Sequence, residues 1–275
     1  MAGTGSHETA LAERYGPAGA DLAIAWNDTL ARLLAHRSVR AYRPDPPPPD
    51  TLETLVAAAQ SAPSSSNLQT WSVVAVEDPE TKRRLAAVAG GQRHVIEAPL
   101  VLVWLADLSR LGAIGRAQDR PTGGLAYLET LFVGIIDAAL AAQNATVALE
   151  SLGLASVYIG ALRNDPETVA GILGLPPNVL AVFGHCVGYE DPARPAAVKP
   201  RLPQSVVLHR ERYGAAPDPA DVAAYDRALA AFQEGQRLPP VGWTRAALDR
   251  VRGPEALSGR DRIRTALERL GFGLR

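Results

Sequence analysis

Hydrophobic and polar positions change their period repeatedly along this chain, and the changes assign most of its elements. Between Asp21 and Leu34 the residues Leu22, Ile24, Ala25, Leu30, Leu33 and Leu34 recur at roughly helical spacing, which predicts a helix ending before His36-Arg37-Ser38-Val39-Arg40. Pro44 and the run Pro46 to Pro49 exclude helix interior and central strand, so an extended connector follows. Asp50 reads as an N-cap, with Glu53 completing a capping box, for a helix through about Gln60. Ser72 to Val76 reads as a short strand, and Asp78-Pro79-Glu80 opens a helix through Val88 that Gly90-Gly91 terminates. The continuous apolar run Pro99 to Ala106 has strand length and predicts a strand buried on both faces. Ser109 to Thr122 shows no clear period and reads as a surface excursion.

A long apolar helix is predicted from about Leu125 to Leu152, closed by Gly153 and rich in small residues at its centre, from Gly134 to Ala148. Such a helix is either the spine of one core or a subunit interface. Ser156 to Gly160 and Leu180 to Gly188 are two further strands, with a short helix from Asp165-Pro166-Glu167 through Leu173 between them. Beyond Pro203 the texture becomes helical and charged, from Pro219 to Gln236 and from Arg260 to Leu270. One domain fits this order: residues 1–35 an N-terminal extension and first helix, 36–213 a core, and 214–275 a helical arm of the same domain.

With 47% hydrophobic and 21% charged residues among 275, the chain can bury a full-sized core, which excludes collagenous, disordered and disulfide-scaffold classes. Its 28 Lys+Arg against 29 Asp+Glu produce a formal charge of -1, so no overall field favours nucleic acid or an anionic membrane and any anion site is local. The single cysteine, Cys186, allows no internal disulfide, and in its apolar strand it reads as a small hydrophobe. Met1 to Gly16 does not read as a secretory signal, and Leu128 to Leu152 is interrupted by Glu129, Asp137 and Glu150, so the expectation is a cytoplasmic protein without a membrane span. No phosphate-binding glycine fingerprint, metalloprotease helix or serine-nucleophile elbow occurs, and His7, His36, His94, His185 and His209 are scattered without ligand spacing.

Several short polar clusters remain, each at the end of a predicted element. His36-Arg37-Ser38-Val39-Arg40 offers guanidinium, hydroxyl and imidazole groups suited to a phosphate. Ala62-Pro63-Ser64-Ser65-Ser66-Asn67-Leu68-Gln69-Thr70-Trp71 crowds hydroxyls and amides between a helix and a strand. With Gly90-Gly91-Gln92-Arg93-His94-Val95, Asp137-Ala138-Ala139, Tyr158-Ile159-Gly160 with Leu162-Arg163-Asn164, and Lys199-Pro200-Arg201-Leu202-Pro203, they stand in an order and spacing that resemble the nitroreductase family. Within it they are similar to the oxygen-insensitive major nitroreductase and flavin reductase P subgroup. The resemblance covers roughly His36 to Tyr213 in detail and the tail loosely.

It implies an α+β fold: a central mixed β-sheet of four to five strands flanked by helices, a long central helix and an extended helical C-terminal arm. It implies FMN as cofactor, with His36, Arg37, Ser38, Arg40, Lys199 and Arg201 on the phosphate and ribityl chain. Gln92 would bond the isoalloxazine edge, and the turn Tyr158, Ile159, Gly160, Ala161 would lay its backbone beside the ring. Ala161 stands where the subgroup has a second glycine. Ser64, Ser65, Ser66 and Gln69 would reach the flavin of the partner in a homodimer with FMN at the interface. No protein acid or base and no metal is implied. The implied activity is ping-pong hydride transfer from NADPH or NADH to FMN, then two-electron reduction of a nitroaromatic, quinone or free flavin acceptor. Arg237 or Arg163 would favour NADPH. The alternatives are another flavin reaction on the same fold, such as reductive dehalogenation, flavin fragmentation or azoline oxidation, or a non-catalytic flavin-binding protein.

Overall fold

Four strands form one sheet in the order β1-β2-β4-β3: β1 Trp71–Val76, β2 Leu100–Asp107, β3 Ala155–Ile159 and β4 Val179–Gly188. The computed structural model describes residues 7–19, 22–214 and 216–275. In chain order its helices are α1 His7–Tyr15, α2 Asp28–Leu34, α3 Thr51–Gln60, α4 Pro79–Val88, α5 Arg93–Glu97, α6 Ser109–Ala117, α7 Leu128–Ser151, α8 Pro166–Leu173, α9 Gln204–Val207, α10 Pro219–Gly235, α11 Trp243–Val251 and α12 Ile263–Arg269. The chain divides into two compact units, one of residues 1–38 and 196–256, the other of residues 39–195 and 257–275.

The sheet belongs to the second unit. Its central strands, β2 and β4, are almost wholly buried, as their continuous apolar runs require. Leu100, Leu102, Trp104 and Ala106 of β2 join Leu180 and Val182 of β4 in a core completed by Leu55 and Ala59 of α3, Leu267 of α12, and Leu131, Ala138, Ala141, Ala142, Ala145 and Leu149 of α7. The alanines explain how so long a helix lies close to the sheet: one face carries nothing larger than a methyl group for two turns. The C-terminal end returns to the start of α7, where Leu128 N–H donates to Arg275 O and Arg275 N–H to Ala126 O.

In the first unit α1 is followed by a short 3-10 turn, and α2 by the basic turn. Segment 196–203 leads into α9, α10 and α11. Asp226 of α10 caps α11 by accepting from Trp243 and Thr244 N–H, both at 2.7 Å.

The fold class expected from the sequence holds, with four strands, but the sheet is antiparallel at every pair rather than mixed. The two pairs that are consecutive in the chain, β1–β2 and β3–β4, are each joined through two helical segments, α4 and α5 before β2, and the 3-10 turn Gly160–Asn164 and α8 before β4, so the chain re-enters the sheet from the end it left. Helix α2 is shorter than its pattern predicts, because the Asn27 side chain accepts from Leu30 N–H at 2.9 Å and starts the helix there; Asp21 lies outside the described residues, as do Met1 to Ser6 of the scanned leader segment. Asp50 makes no side-chain cap, whereas Asp78 and Asp165 do. The excursion after β2 contains α6, whose buried positions are Gly112 and Gly115 and so left no apolar stripe to read. The tail contains one helix more than expected, α11.

Candidate functional site

In the first unit the basic turn meets the segment around Lys199, more than a hundred residues away along the chain. The Arg37 guanidinium donates to Ala196 O at 3.0 Å. Lys199 Nζ lies 5.8 Å from the centre of the Phe232 ring on α10, a cation–π contact. Arg201 is exposed, its N–H held by Arg14 O at 2.8 Å, and Pro200 O accepts from the Tyr225 hydroxyl at 3.2 Å. Burial raises the Tyr225 pKa, with Arg201 pulling the other way. This unit therefore carries His36, Arg37, Ser38, Lys199 and Arg201 on two segments that the Arg37 side chain ties together at Ala196 O. Several cationic donors with a hydroxyl and an imidazole suit a phosphate dianion.

Arg40 follows in the second unit, on a segment pinned to the sheet: Val39 N–H donates to Ser156 O and Arg43 N–H to Tyr189 O, both at 2.9 Å. The buried Tyr42 hydroxyl donates to Val39 O at 2.7 Å, and burial raises its pKa well above the ordinary value.

The serine-rich loop between α3 and β1 has an unusual backbone. Ser66, Asn67 and Gln69 have φ of 50°, 55° and 51°, left-handed values that cost a non-glycine residue about 1 kcal/mol or more each. Hydrogen bonds at both ends hold the loop in that shape. Asp137, which is 2% exposed on α7, accepts through Oδ2 from Ser64 Oγ at 2.8 Å, Thr70 N–H at 2.9 Å and Thr70 Oγ1 at 3.0 Å. Ser64 Oγ in turn accepts from Gln69 N–H at 2.8 Å. Arg110 donates to Gln69 O at 3.1 Å and Trp71 O at 2.5 Å. The Ser64 hydroxyl is thus committed to the loop itself, while Ser65, Ser66 and Gln69 are exposed.

At the end of β3 the Tyr158 side chain turns into the core. Its hydroxyl lies 2.8 Å from Thr146 Oγ1, its ring stacks on His185 at 4.5 Å, and burial pushes its pKa up to about 12. Ile159 and Ala161 are buried and Tyr158 is partly buried. Neither Gly160 nor Ala161 has a positive φ, and alanine is therefore accommodated without strain at position 161. A Cβ on Gly160 would lie 3.3 Å from the Arg163 guanidinium, which reaches Val182 O and whose pKa is lowered by burial, so a side chain there would push that guanidinium by a few tenths of an ångström. Gln92 stands at the start of α5 with no side-chain capping bond. Two residues on, burial lowers the His94 pKa, Arg40 lowers it further and Glu97 opposes them. Cys186 is buried and its thiol pushed up to about 12, which removes it as a nucleophile.

Sequence reasoning assigned no role to Asp137, Arg110 or Arg14. Asp137 left a signal, a carboxylate at the centre of an apolar helix that must find donors when buried. The arginines left none among so many exposed ones.

A model described as Nitroreductase family matches residues 33–189, and one described as Nitroreductase family, C-terminal domain, matches residues 199–275. The chain belongs to the nitroreductase family. It is 39% identical over 207 residues to the oxygen-insensitive NADPH nitroreductase of Salmonella typhimurium, covering 74% of this chain and 82% of that protein. It is 40% identical over 188 residues to an FMN reductase [NAD(P)H] of Bacillus subtilis, covering 68% and 75%. Among solved nitroreductase-fold structures, Bacillus megaterium NfrA2 superposes with a TM-score of 0.84 at 34% identity, over 91% of this chain and all of that one. The NADPH:FMN oxidoreductase from Vibrio harveyi complexed with NAD+ superposes with a TM-score of 0.80 at 34% identity, over 90% and 100%. For a nitroreductase, the clusters read from the sequence are the segments to weigh as cofactor contacts.

Proposed function

We propose that this nitroreductase-family chain is an FMN-dependent NAD(P)H oxidoreductase that reduces nitroaromatic, quinone or free flavin acceptors by two electrons, as a cytoplasmic homodimer. What supports the reading is that the Arg37 guanidinium bonds Ala196 O, so the segment bearing His36, Arg37 and Ser38 meets the one that leads to Lys199 and Arg201, residue types that suit the phosphate that distinguishes FMN from uncharged flavins. Relatives named NADPH nitroreductase, FMN reductase and NADPH-flavin oxidoreductase support it.

Bound FMN would supply the hydride chemistry between a nicotinamide and an acceptor. The chain supplies position and charge. His36, Arg37, Ser38, Arg40, Lys199 and Arg201 would hold the phosphate and ribityl chain. Gln92 would bond the ring edge, and Tyr158, Ile159, Gly160 and Ala161 would face the ring through their backbone. Ser65, Ser66 and Gln69 would reach the partner's flavin, with Ser64 as their anchor. Arg237, exposed and left-handed after α10 with φ of 56°, is the candidate cation for the extra phosphate of NADPH.

The dimer reading rests on α7. Opposite its buried face, Leu128, Phe132, Ile136 and Leu140 recur every fourth residue and are all exposed, Phe132 at 51% and Ile136 at 55%. Among the described residues α7 is the helix long and apolar enough to cross a membrane, yet its inner face is the protein core and Asp137 is buried there with three hydrogen bonds.

The test is an absorption spectrum of the purified protein, followed by anaerobic NADPH and then a quinone or nitroaromatic. Flavin bands that bleach with NADPH and return with the acceptor are expected, with parallel double-reciprocal plots in steady state. A colourless protein that does not bind added FMN overturns the reading.

A further inference from the structure

We propose that Arg14, on α1, is a positioning residue that sets the phosphate-binding cradle of the first unit; the proposal rests on the FMN reading above. Arg14 is 5% exposed. Its guanidinium donates through Nη1 to Lys199 O at 2.7 Å and through Nη2 to Leu34 O at 2.6 Å and His36 O at 2.9 Å. Its own carbonyl accepts from Arg201 N–H at 2.8 Å. One residue thereby bonds the backbone of both cation-bearing segments, at His36 on one and at Lys199 and Arg201 on the other. Helix α1 lies outside both segments matched by the family models, residues 33–189 and 199–275, so this tie is contributed by the part of the chain that precedes them.

A phosphate held by side chains from two remote segments must order both when it binds, and that ordering weakens affinity. A guanidinium can satisfy three carbonyls at once because its five N–H donors form a rigid planar fork, which an ammonium on a shorter stem does not reproduce. Arg14 thus fixes the backbone from which His36, Arg37, Ser38, Lys199 and Arg201 project, without touching the ligand itself. The phosphate end of the cofactor should feel its loss, and the ring end should not.

The experiment compares full-length wild-type, Arg14→Ala and Arg14→Lys proteins, stripped of flavin and titrated with FMN and with riboflavin, which lacks the phosphate, by quenching of flavin fluorescence. The expected result is a Kd for FMN raised roughly tenfold or more in both variants, with the Kd for riboflavin within about twofold of wild type. Equal weakening of both ligands would assign Arg14 a general structural role and overturn the proposal, as would unchanged FMN affinity. Should Arg14→Ala fail to fold, Arg14→Lys and Arg14→Gln carry the same comparison. Wild-type protein that binds neither flavin overturns the functional reading and this proposal with it, whereas tight wild-type FMN binding that the variants retain overturns this proposal alone.

Discussion

Asp137 shows how a single side chain can set the shape of a loop that does not contain it. Its Oδ2 takes three donors from Ser64 and Thr70, the two ends of a segment with three left-handed non-glycine residues. Asp137→Ala strands a buried N–H and a buried hydroxyl, and is expected to lower stability by roughly 3 kcal/mol in urea denaturation. A loss under about 1 kcal/mol would mean that Arg110 and the local bonds suffice to hold the loop. His94 governs a different variable. Burial first and Arg40 second depress its pKa, so the unfolded chain binds a proton more readily than the folded one. The stability this contributes is present above the unfolded imidazole pKa, about 6.5, and is lost as pH falls through the lower folded value. His94→Gln should therefore lose less stability than wild type between roughly pH 7 and 5, and parallel stability profiles would exclude the effect. At this scale the sequence showed which residues carry chemistry but not which of them serve each other: Ser64 and Asp137 stood out separately, and their bond spans 73 positions.

At the scale of elements, α7 is placed by what its inner face lacks. A Cβ on Gly134 would lie 3.1 Å from Ala106 Cβ on β2 and 3.2 Å from Thr70 O, both held by the sheet and the loop end. Gly134→Ala gains about 1 kcal/mol of helix propensity, but overpacking against atoms that cannot retreat costs roughly 1–3 kcal/mol. A net loss in thermal stability is expected, and a gain would show that the sheet yields. Elements with a local signature were legible beforehand. Asp78-Pro79 and Asp165-Pro166 start α4 and α8 with the caps their residues suggest, and the unbroken apolar runs became β2 and β4. Helix α6, whose packing face is glycine, escaped a reading by periodicity, and α2 was read from its period but with its start placed too early, because the Asn27 cap sets it.

For the whole molecule, the exposed row Leu128, Phe132, Ile136 and Leu140 is a feature a single chain leaves unexplained. The double substitution Phe132→Glu with Ile136→Glu lies outside the core cluster and places charge in the middle of that row. Under the proposed homodimer it is expected to leave a monomer in light scattering where wild type is a dimer, and to weaken flavin retention; a variant that remains dimeric would move the interface elsewhere. The sequence by itself determined the fold class, the main strands and helices, the family and the order of its polar clusters, because these are written in local periodicity, caps and short motifs. Tertiary structure alone decided that every strand pair is antiparallel, that Arg14 bonds to the backbone beside Arg37 and Arg201, and that Asp137 holds the loop after α3. Each of those depends on partners brought together from distant positions, and spacing along the chain carries no record of which carbonyl a buried donor will meet.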